Sequence, residues 1–264
     1  AMLLEMAANR GKEFRLGRGN RGQGDAPAPQ SRGFEERLRR QAAPGIIAEL
    51  KSRSPSQGAI RADLDPAGLA RRLESSGAAA LSVITDAKYF GGSLEWLSAA
   101  REACSLPVLR KDFIVDPHQI DEAKAAGSDA VLLIARLHQE PGTPPLEELH
   151  RRARELEMDA LVEVRTEREM AEAARIGATL IGVNARNLED VRQAPDLSIF
   201  ERLAPLAPPE ALLVAASGLH SGADIHRMAH AGAGAFLIGG EIMQAREPGL
   251  RLAELIAETQ ALCC

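Results

Sequence analysis

A glutamate and a lysine lie two residues apart at the end of an apolar stretch. The stretch 46–50 reads Ile-Ile-Ala-Glu-Leu, and it is followed by Lys51 and by a loop rich in Ser, Pro and Gly. Side chains two residues apart in a β-strand point to the same face, so Glu49 and Lys51 leave the strand together. Charges at a buried strand end are costly unless they serve a polar site. The pair is therefore either a salt bridge at the rim of the fold or part of a reactive site.

Polar residues recur at the ends of other apolar runs. Lys111 follows the run 107–110, Glu163 lies in the run 160–164, and Asn184 and Arg186 follow the run 180–183. Carboxylates and ammonium groups that converge on one place shift one another's pKa values. If these side chains meet, the sequence predicts a site for an anionic substrate and for proton transfer.

Alternating strands and helices are expected to position these residues. Short apolar runs rich in branched residues, as in buried parallel sheets, alternate with amphipathic helical patterns. The predicted strands are 46–50, 80–84, 107–110, 130–134, 160–164, 180–183, 212–216 and 235–239. Eight strands, each followed by a helix, predict an α/β protein with a single (β/α)8 TIM barrel, in which strand ends form the site.

An internal repeat supports the barrel. Four predicted helices end on a glycine that is followed by Ala or Ser, at Gly77, Gly127, Gly177 and Gly232. Glycine is favoured there because it adopts the left-handed conformation without a Cβ clash. The spacings of 50, 50 and 55 residues correspond to two strand–helix units each.

Glycines also follow the last two predicted strands, as Ser217-Gly218 and Gly239-Gly240. In (β/α)8 barrels this region commonly holds a phosphate through backbone N–H groups and a helix N-terminus. Simple tight turns are the alternative, but the joint position after strands seven and eight favours phosphate binding.

Composition and motifs argue against several classes of function. The net charge of −5 speaks against a nucleic-acid partner. No apolar run reaches membrane-spanning length, and there is no signal-peptide pattern. Three cysteines without a disulfide framework suit the cytoplasm. The strand ends carry no His and the sequence shows no His/Cys cluster, which speaks against a transition-metal site, and no Gly-x-Gly-x-x-Gly follows a strand, which speaks against a Rossmann-type dinucleotide site.

The chain is expected to divide near residue 34. Residues 1–33 are predicted to be a flexible N-terminal segment with one or two helical turns within 2–10, because 17–33 is rich in Gly, Arg, Gln and Pro. Residues 34–264 form the predicted barrel domain, and we expect a monomer or a weak homodimer.

Several motifs, in order along the chain, resemble the indole-3-glycerol phosphate synthase family of tryptophan biosynthesis. The resemblance runs from about Phe34 to the C-terminus. It rests on these segments: Ile47-Ala48-Glu49-Leu50-Lys51, Ser54-Pro55-Ser56, Tyr89-Phe90-Gly91-Gly92-Ser93, Pro107-Val108-Leu109-Arg110-Lys111-Asp112-Phe113-Ile114, Leu161-Val162-Glu163-Val164, Gly182-Val183-Asn184-Ala185-Arg186 and Ser217-Gly218.

The resemblance implies a reaction and residue roles. The family cyclises 1-(2-carboxyphenylamino)-1-deoxyribulose 5-phosphate to indole-3-glycerol phosphate, with loss of CO2 and water and without a cofactor or metal. Lys111 would be the general acid of ring closure, and Lys51 would pair with the departing carboxylate. Glu49, Glu163 and Lys51 are the candidates for acid and base in the dehydration.

Further residues would hold the substrate. Asn184 would orient the sugar hydroxyls, and Arg186 would support the carboxylates. The implied binding set is Ser54, Pro55, Phe113, Arg186, Ser217, Gly218, Gly239 and Gly240, with Phe113 against the aromatic ring and Ser54 and the glycines at the phosphate.

The chain departs from the family pattern at three positions. Ala216 stands where the family usually has Glu, and Ala185 and Asn187 stand where it has Asn and Asp. Two alternatives follow. The chain could be another phosphosugar barrel enzyme such as a phosphoribosylanthranilate isomerase, although that chemistry uses a strand-end Cys and Asp. It could also be a weakly active or non-catalytic paralogue that binds a phosphorylated aromatic ligand.

Overall fold

A computed structural model describes residues 2–17, 29–41, 44–55, 58–61, 63–140, 142–190 and 192–262. Ser56, two of the three cysteines (Cys263 and Cys264) and residues 18–28 of the predicted linker lie outside these ranges.

Eight parallel strands close into a barrel, which confirms the fold class predicted from the sequence. Each strand pairs with the next along the chain, and the last returns to the first with Ile46 opposite Phe236. The strands are β1 Ile46–Leu50, β2 Ala80–Ile84, β3 Val108–Lys111, β4 Ala130–Ile134, β5 Asp159–Val164, β6 Leu180–Asn184, β7 Leu212–Ala216 and β8 Ala235–Ile238.

Helices follow the strands, and several of them begin at a polar residue that caps the helix. Asp65 accepts a hydrogen bond from the Gly68 N–H, and Ser221 and Asp224 form a reciprocal capping box. The helices are α1 Met2–Gly17, α2 Phe34–Arg40, α3 Pro66–Ser75, α4 Ala87–Phe90, α5 Leu94–Ala103, α6 Pro117–Ala125, α7 Leu146–Glu155, α8 Glu167–Arg175, α9 Ser198–Leu203, α10 Gly222–His230, α11 Gly240–Gln244 and α12 Pro248–Ala261. The four repeated glycines after α3, α6, α8 and α10 have φ angles of 97°, 87°, 71° and 106°. That is the left-handed conformation that the repeat predicts.

The core has two layers because side chains alternate along each strand. On β1, Ile46, Ala48 and Leu50 pack outward against the helices, in the larger apolar cluster. Ile47 points into the barrel and packs with inward residues of the other strands. Glu49 has the same inward parity, so the strand delivers its carboxylate to the barrel mouth.

Helix α2 closes the N-terminal end of the barrel. Phe34 and Leu38 are buried in the inner cluster. The Glu35 N–H donates to the Asp159 carboxylate at the start of β5, and Arg39 donates to the carbonyls of Thr179 and Glu210, which precede β6 and β7.

Helix α1 covers the opposite, C-terminal end. It is longer than the one or two turns predicted from the sequence. Leu3 and Met6 are buried in the inner cluster, and the Arg10 guanidinium pairs with Asp112 at the end of β3 with N···O distances of 2.7 to 3.2 Å. The Asn9 side chain donates to the Tyr89 hydroxyl at 2.5 Å. The helix therefore packs directly over the strand ends that carry the candidate site residues.

Candidate active site

All the candidate site residues from the sequence line one cavity at the C-terminal mouth of the barrel. Strands β1, β3, β5 and β6 contribute Glu49, Lys111, Glu163 and Asn184 from their last residues. The remaining candidates line the same cavity from the loops: Lys51, Ser54, Pro55, Phe113, Arg186, Ser217, Gly218, Gly239 and Gly240. The cavity thus brings together groups that lie up to 191 positions apart in the chain.

Glu49 lies between the two lysines. Its Oε1 is 3.0 Å from the Lys51 Nζ, and its Oε2 is 3.3 Å from the Lys111 Nζ. Burial acts to raise the pKa of Glu49, but the charges and hydrogen bonds of Lys111 and Lys51 outweigh it and lower the pKa to about 2. Glu49 is therefore a permanent carboxylate at neutral pH.

Lys111 lies between two carboxylates. Burial acts to lower its pKa, and the attraction of Glu49 and of Glu163 overcomes this, so the pKa is raised above its ordinary value. Lys111 is an ammonium at neutral pH and keeps a proton to donate.

The pKa of Glu163 is shifted in the opposite direction from that of Glu49. Burial raises the pKa of Glu163, and the Lys111 charge and a hydrogen bond from Asn184 offset this only in part. Its side chain is 6% exposed. The pKa values of the two buried glutamates are therefore shifted in opposite directions by their surroundings.

Asn184 and Arg186 lie side by side at the end of β6. The Asn184 Oδ1 accepts the Arg186 backbone N–H at 2.9 Å, which fixes the amide next to Glu163. Burial lowers the pKa of Arg186, whose guanidinium is nevertheless a strong base and stays charged.

A side chain is disfavoured at Gly218, after β7, and at Gly239, after β8, for different reasons. Gly218 has a φ of 76°, and a Cβ there would lie 2.8 Å from the Pro195 Cβ. A Cβ on Gly239 would lie 2.4 Å from the Glu49 Oε1. Glycine at 239 thus makes room for the Glu49 carboxylate, a reason that the sequence did not reveal.

The three departures from the family pattern lie in or beside the cavity. Ala216 lines it and pairs in register with Asn184. Ala185 is buried, and the Asn187 side chain bonds within its own loop, to Gln193 and to the Glu189 N–H.

Some lining residues were not among the candidates. Asp86 and Phe90 come from the β2 loop, and Leu3 and Met6 come from α1. The rings of Phe90 and Phe113 lie 6.2 Å apart and form an aromatic wall with these apolar residues. The position of Asp86 directly after a predicted strand could have identified it as a site residue. Nothing local in the sequence shows that α1 folds over the mouth of the barrel.

Behind Lys111 lies a buried ionic network. Asp112 receives the guanidinium groups of Arg10 and of the fully buried Arg110, and it also accepts the Thr85 hydroxyl at 2.6 Å. Burial acts to raise the pKa of Asp112, and the two arginines lower it. The network fixes the end of β3 and thereby the base of the Lys111 side chain.

The described residues contain neither a metal-binding cluster nor a membrane-spanning helix. Within the described ranges, no three His, Cys, Asp or Glu side chains are grouped so that they could hold a metal ion. None of the described helices has the length and apolar character of a membrane-spanning segment.

Comparison with known proteins identifies close relatives. A family model described as "Indole-3-glycerol phosphate synthase" matches residues 12–255. The indole-3-glycerol phosphate synthase of Koribacter versatilis (strain Ellin345) is 48% identical over 227 residues, which cover 85% of this chain and 85% of that protein. That of Polaromonas naphthalenivorans (strain CJ2) is 45% identical over 215 residues, covering 81% of this chain and 80% of that protein.

Solved structures share the fold at low sequence identity. A thiamine phosphate pyrophosphorylase from Pyrococcus furiosus superposes with a TM-score of 0.62 and 16% identity, covering 87% of this chain and 100% of that chain. A structure titled "Native KDPGal structure" gives a TM-score of 0.57 at 18% identity, covering 84% of this chain and 96% of that chain. At such identities the likeness concerns the barrel alone.

Proposed function

The chain belongs to the indole-3-glycerol phosphate synthase family, and from that premise we propose which residues carry each step of its reaction. The protein is a carboxy-lyase of tryptophan biosynthesis that acts on a phosphorylated small molecule. It converts 1-(2-carboxyphenylamino)-1-deoxyribulose 5-phosphate to indole-3-glycerol phosphate, CO2 and water. The observation that carries the residue assignment is the row Lys51, Glu49, Lys111 and Glu163 across the barrel mouth.

Lys111 is the acid of ring closure. The ring carbon that bears the carboxylate attacks the C2′ carbonyl, and the carbonyl oxygen takes the ammonium proton as the new bond forms. Glu49 and Glu163 keep Lys111 protonated before the step. A positioned proton donor contributes about 10²- to 10⁴-fold in rate.

Lys51 holds the carboxylate that becomes CO2. Its ammonium lies 3.0 Å from the Glu49 Oε1 and lines the cavity from the loop after β1. Glu49 positions it, and the substrate carboxylate is its second anionic partner. Loss of CO2 then returns the bonding electrons to the aromatic ring.

Glu163 is the base of the dehydration. The hydroxyl on C2′ leaves as water after protonation by Lys51, and a proton is lost from C1′. Of the two glutamates, Glu163 has the raised pKa and is the stronger base, whereas Glu49, with a pKa of about 2, is a weak one. This assigns the proton to Glu163 and the electrostatic role to Glu49.

The two ends of the substrate lie at opposite sides of the mouth. The phosphate binds to backbone N–H groups of Gly218, Gly239 and Gly240 and to Ser54. The aromatic ring lies against Phe113, while Asn184 and Arg186 bind the sugar hydroxyls and the carboxylate.

The direct test is the fluorescence of the indole product. Purified protein is mixed with the carboxyphenylamino-deoxyribulose phosphate, and wild type is expected to form indole-3-glycerol phosphate. The Glu163→Gln variant is expected to accumulate the cyclised, decarboxylated alcohol, detectable by quenched-flow and mass spectrometry. If that variant forms product at the wild-type rate, Glu163 is not the base.

The two alternatives have no supporting observation. Neither an isomerase nor a binding-only paralogue is indicated by the family match or by the relatives. We further propose a monomer or weak homodimer, because the row of Lys51, Glu49, Lys111 and Glu163 is formed by residues of a single chain. A cytoplasmic location is proposed from the biosynthetic role of the family and the cysteine pattern.

A further inference from the structure

Asp86 is a carboxylate of the active-site cavity to which no step has yet been assigned. It lies just after β2, lines the cavity and is 1% exposed. Its Oδ1 accepts the N–H groups of Tyr89 and Phe90 at 2.7 and 3.1 Å and so caps α4. Its Oδ2 is buried and has no hydrogen-bond partner among the described residues. A buried acceptor without a donor is unfavourable, because the hydrogen bonds that it loses to water are not replaced.

The other carboxylates of the cavity have charged or hydrogen-bonding side-chain partners. Both oxygens of Glu49 face lysines, and Glu163 is bonded by Asn184. Asp112 receives two arginines, and Glu241 receives Arg251 at 2.9 Å. Within the part of the chain that the structure describes, Asp86 is the lining carboxylate with a fully buried oxygen that has no hydrogen-bond partner.

The position of Asp86 in the cavity indicates which part of the bound substrate it can contact. Its Oδ1 holds the backbone of Phe90, whose ring lies 6.2 Å from that of Phe113. Asp86 therefore lies at the aromatic end of the cavity. The substrate has one hydrogen-bond donor next to its ring, the anilino N–H.

The geometry of ring closure makes this N–H need an acceptor. To form the five-membered ring, C1′ must lie on the side of the nitrogen that faces the carboxyl-bearing ring carbon, so that C2′ can reach that carbon. The N–H then points to the other side and loses its internal hydrogen bond to the ortho carboxylate. During the attack, the nitrogen lone pair moves into the ring and the N–H becomes positively charged. That charge is discharged when the C–CO2 bond electrons return to the ring.

We propose that the Asp86 Oδ2 accepts the anilino N–H of the substrate and stabilises the positive charge that develops on this nitrogen during ring closure. No proton is transferred to Asp86, and no covalent bond forms to it. The interaction strengthens as the charge grows, so it stabilises the transition state more than the bound substrate. The inference rests on the proposed function and adds a residue to it.

Burial and the neighbouring Asp112 charge disfavour the ionised form of Asp86 in the free protein. Burial raises the pKa of Asp86, and the N–H groups of Tyr89 and Phe90 and the Arg10 charge offset this in part. The charge of an ionised Asp86 is therefore poorly solvated in the free protein. A cation at the substrate nitrogen relieves that penalty.

The test is the Asp86→Asn variant, because asparagine keeps the capping Oδ1 and replaces only the acceptor Oδ2 by a donor. We expect kcat to fall by about 10- to 100-fold, the effect of one charge-assisted hydrogen bond, with KM changed far less. The thermal unfolding midpoint is expected to stay the same or to rise, because a buried, poorly solvated charge is lost. Asp65→Asn is the matched control, an aspartate cap of α3 that does not line the cavity.

A second substrate separates recognition of the N–H from a structural effect. Wild type and Asp86→Asn are compared on the natural substrate and on its N-methyl analogue, which has no N–H. We expect methylation to slow wild type much more than Asp86→Asn, since the variant has already lost the bond. Equal slowing of both proteins, or an unchanged kcat for Asp86→Asn, overturns the inference. If wild type forms no indole product from the natural substrate, the proposed function itself fails.

Discussion

Replacing Glu49 by glutamine removes the carboxylate that lies between the two lysines while keeping the shape of the side chain. The Lys111 Nζ is 3.3 Å from the Glu49 Oε2. Two unit charges at that distance interact with about 5 kcal/mol at an effective dielectric constant of about 20. Glu163 and the glutamine oxygen retain part of this attraction, so we expect the pKa of Lys111 to fall by at least about one unit.

The sign of the pH effect follows from the acid role of Lys111. The pKa of Lys111 is raised by Glu49 and Glu163, so in wild type the ammonium persists to high pH. In Glu49→Gln, only the Glu163 carboxylate remains to oppose the lowering of the Lys111 pKa by burial, so Lys111 loses its proton at a lower pH. The alkaline limb of the kcat profile should therefore move to lower pH by about one unit or more.

The assay is the initial rate of indole-product fluorescence at saturating substrate over the pH range in which the variant stays folded. Glu241→Gln is the matched control, because Glu241 lines the same cavity but bonds Arg251 instead of a lysine. That variant should leave the alkaline limb in place. A Glu49→Gln profile that keeps the wild-type alkaline limb would refute either the coupling of Glu49 to Lys111 or the acid role of Lys111.

Three other substitutions test separate parts of the site. Lys111→Met is expected to lower kcat by about 10²-fold or more while substrate still binds, measured by single-turnover rates and by ligand titration; a variant with more than about a tenth of wild-type kcat contradicts the acid role. Ala216→Glu should raise kcat/KM by about tenfold or more, because a carboxylate facing the mouth can bind a substrate hydroxyl; slower turnover would mean that another group already serves there. Arg10→Met removes the ion pair that ties α1 to Asp112, so KM should rise and amide hydrogen exchange in residues 2–17 should accelerate. Unchanged exchange in that helix would show that its apolar contacts alone hold it.

The barrel was predictable because its signals are local. Each strand is a short buried run followed by a helix, and several of these helices have a capping side chain or a terminal glycine that is visible in the sequence. The inward direction of Glu49 also follows from strand parity alone. The residues that line the cavity from the strand ends were therefore accessible from the sequence once the barrel was assumed, and their chemical roles stay predictions.

Other features depend on contacts between distant parts of the chain. The sequence indicates a helix near the N-terminus, but only the folded chain brings Leu3, Met6 and Arg10 over the mouth of the barrel. The different pKa shifts of Glu49 and Glu163 also come from the tertiary structure. Both are buried glutamates at strand ends, but Glu49 interacts with Lys51 and Lys111. Of these two lysines, Glu163 interacts only with Lys111, and it accepts a hydrogen bond from a neutral amide, that of Asn184. Residue type and spacing thus determined which groups reach the mouth, and the three-dimensional distances between charges decided in which direction the pKa of each group is shifted.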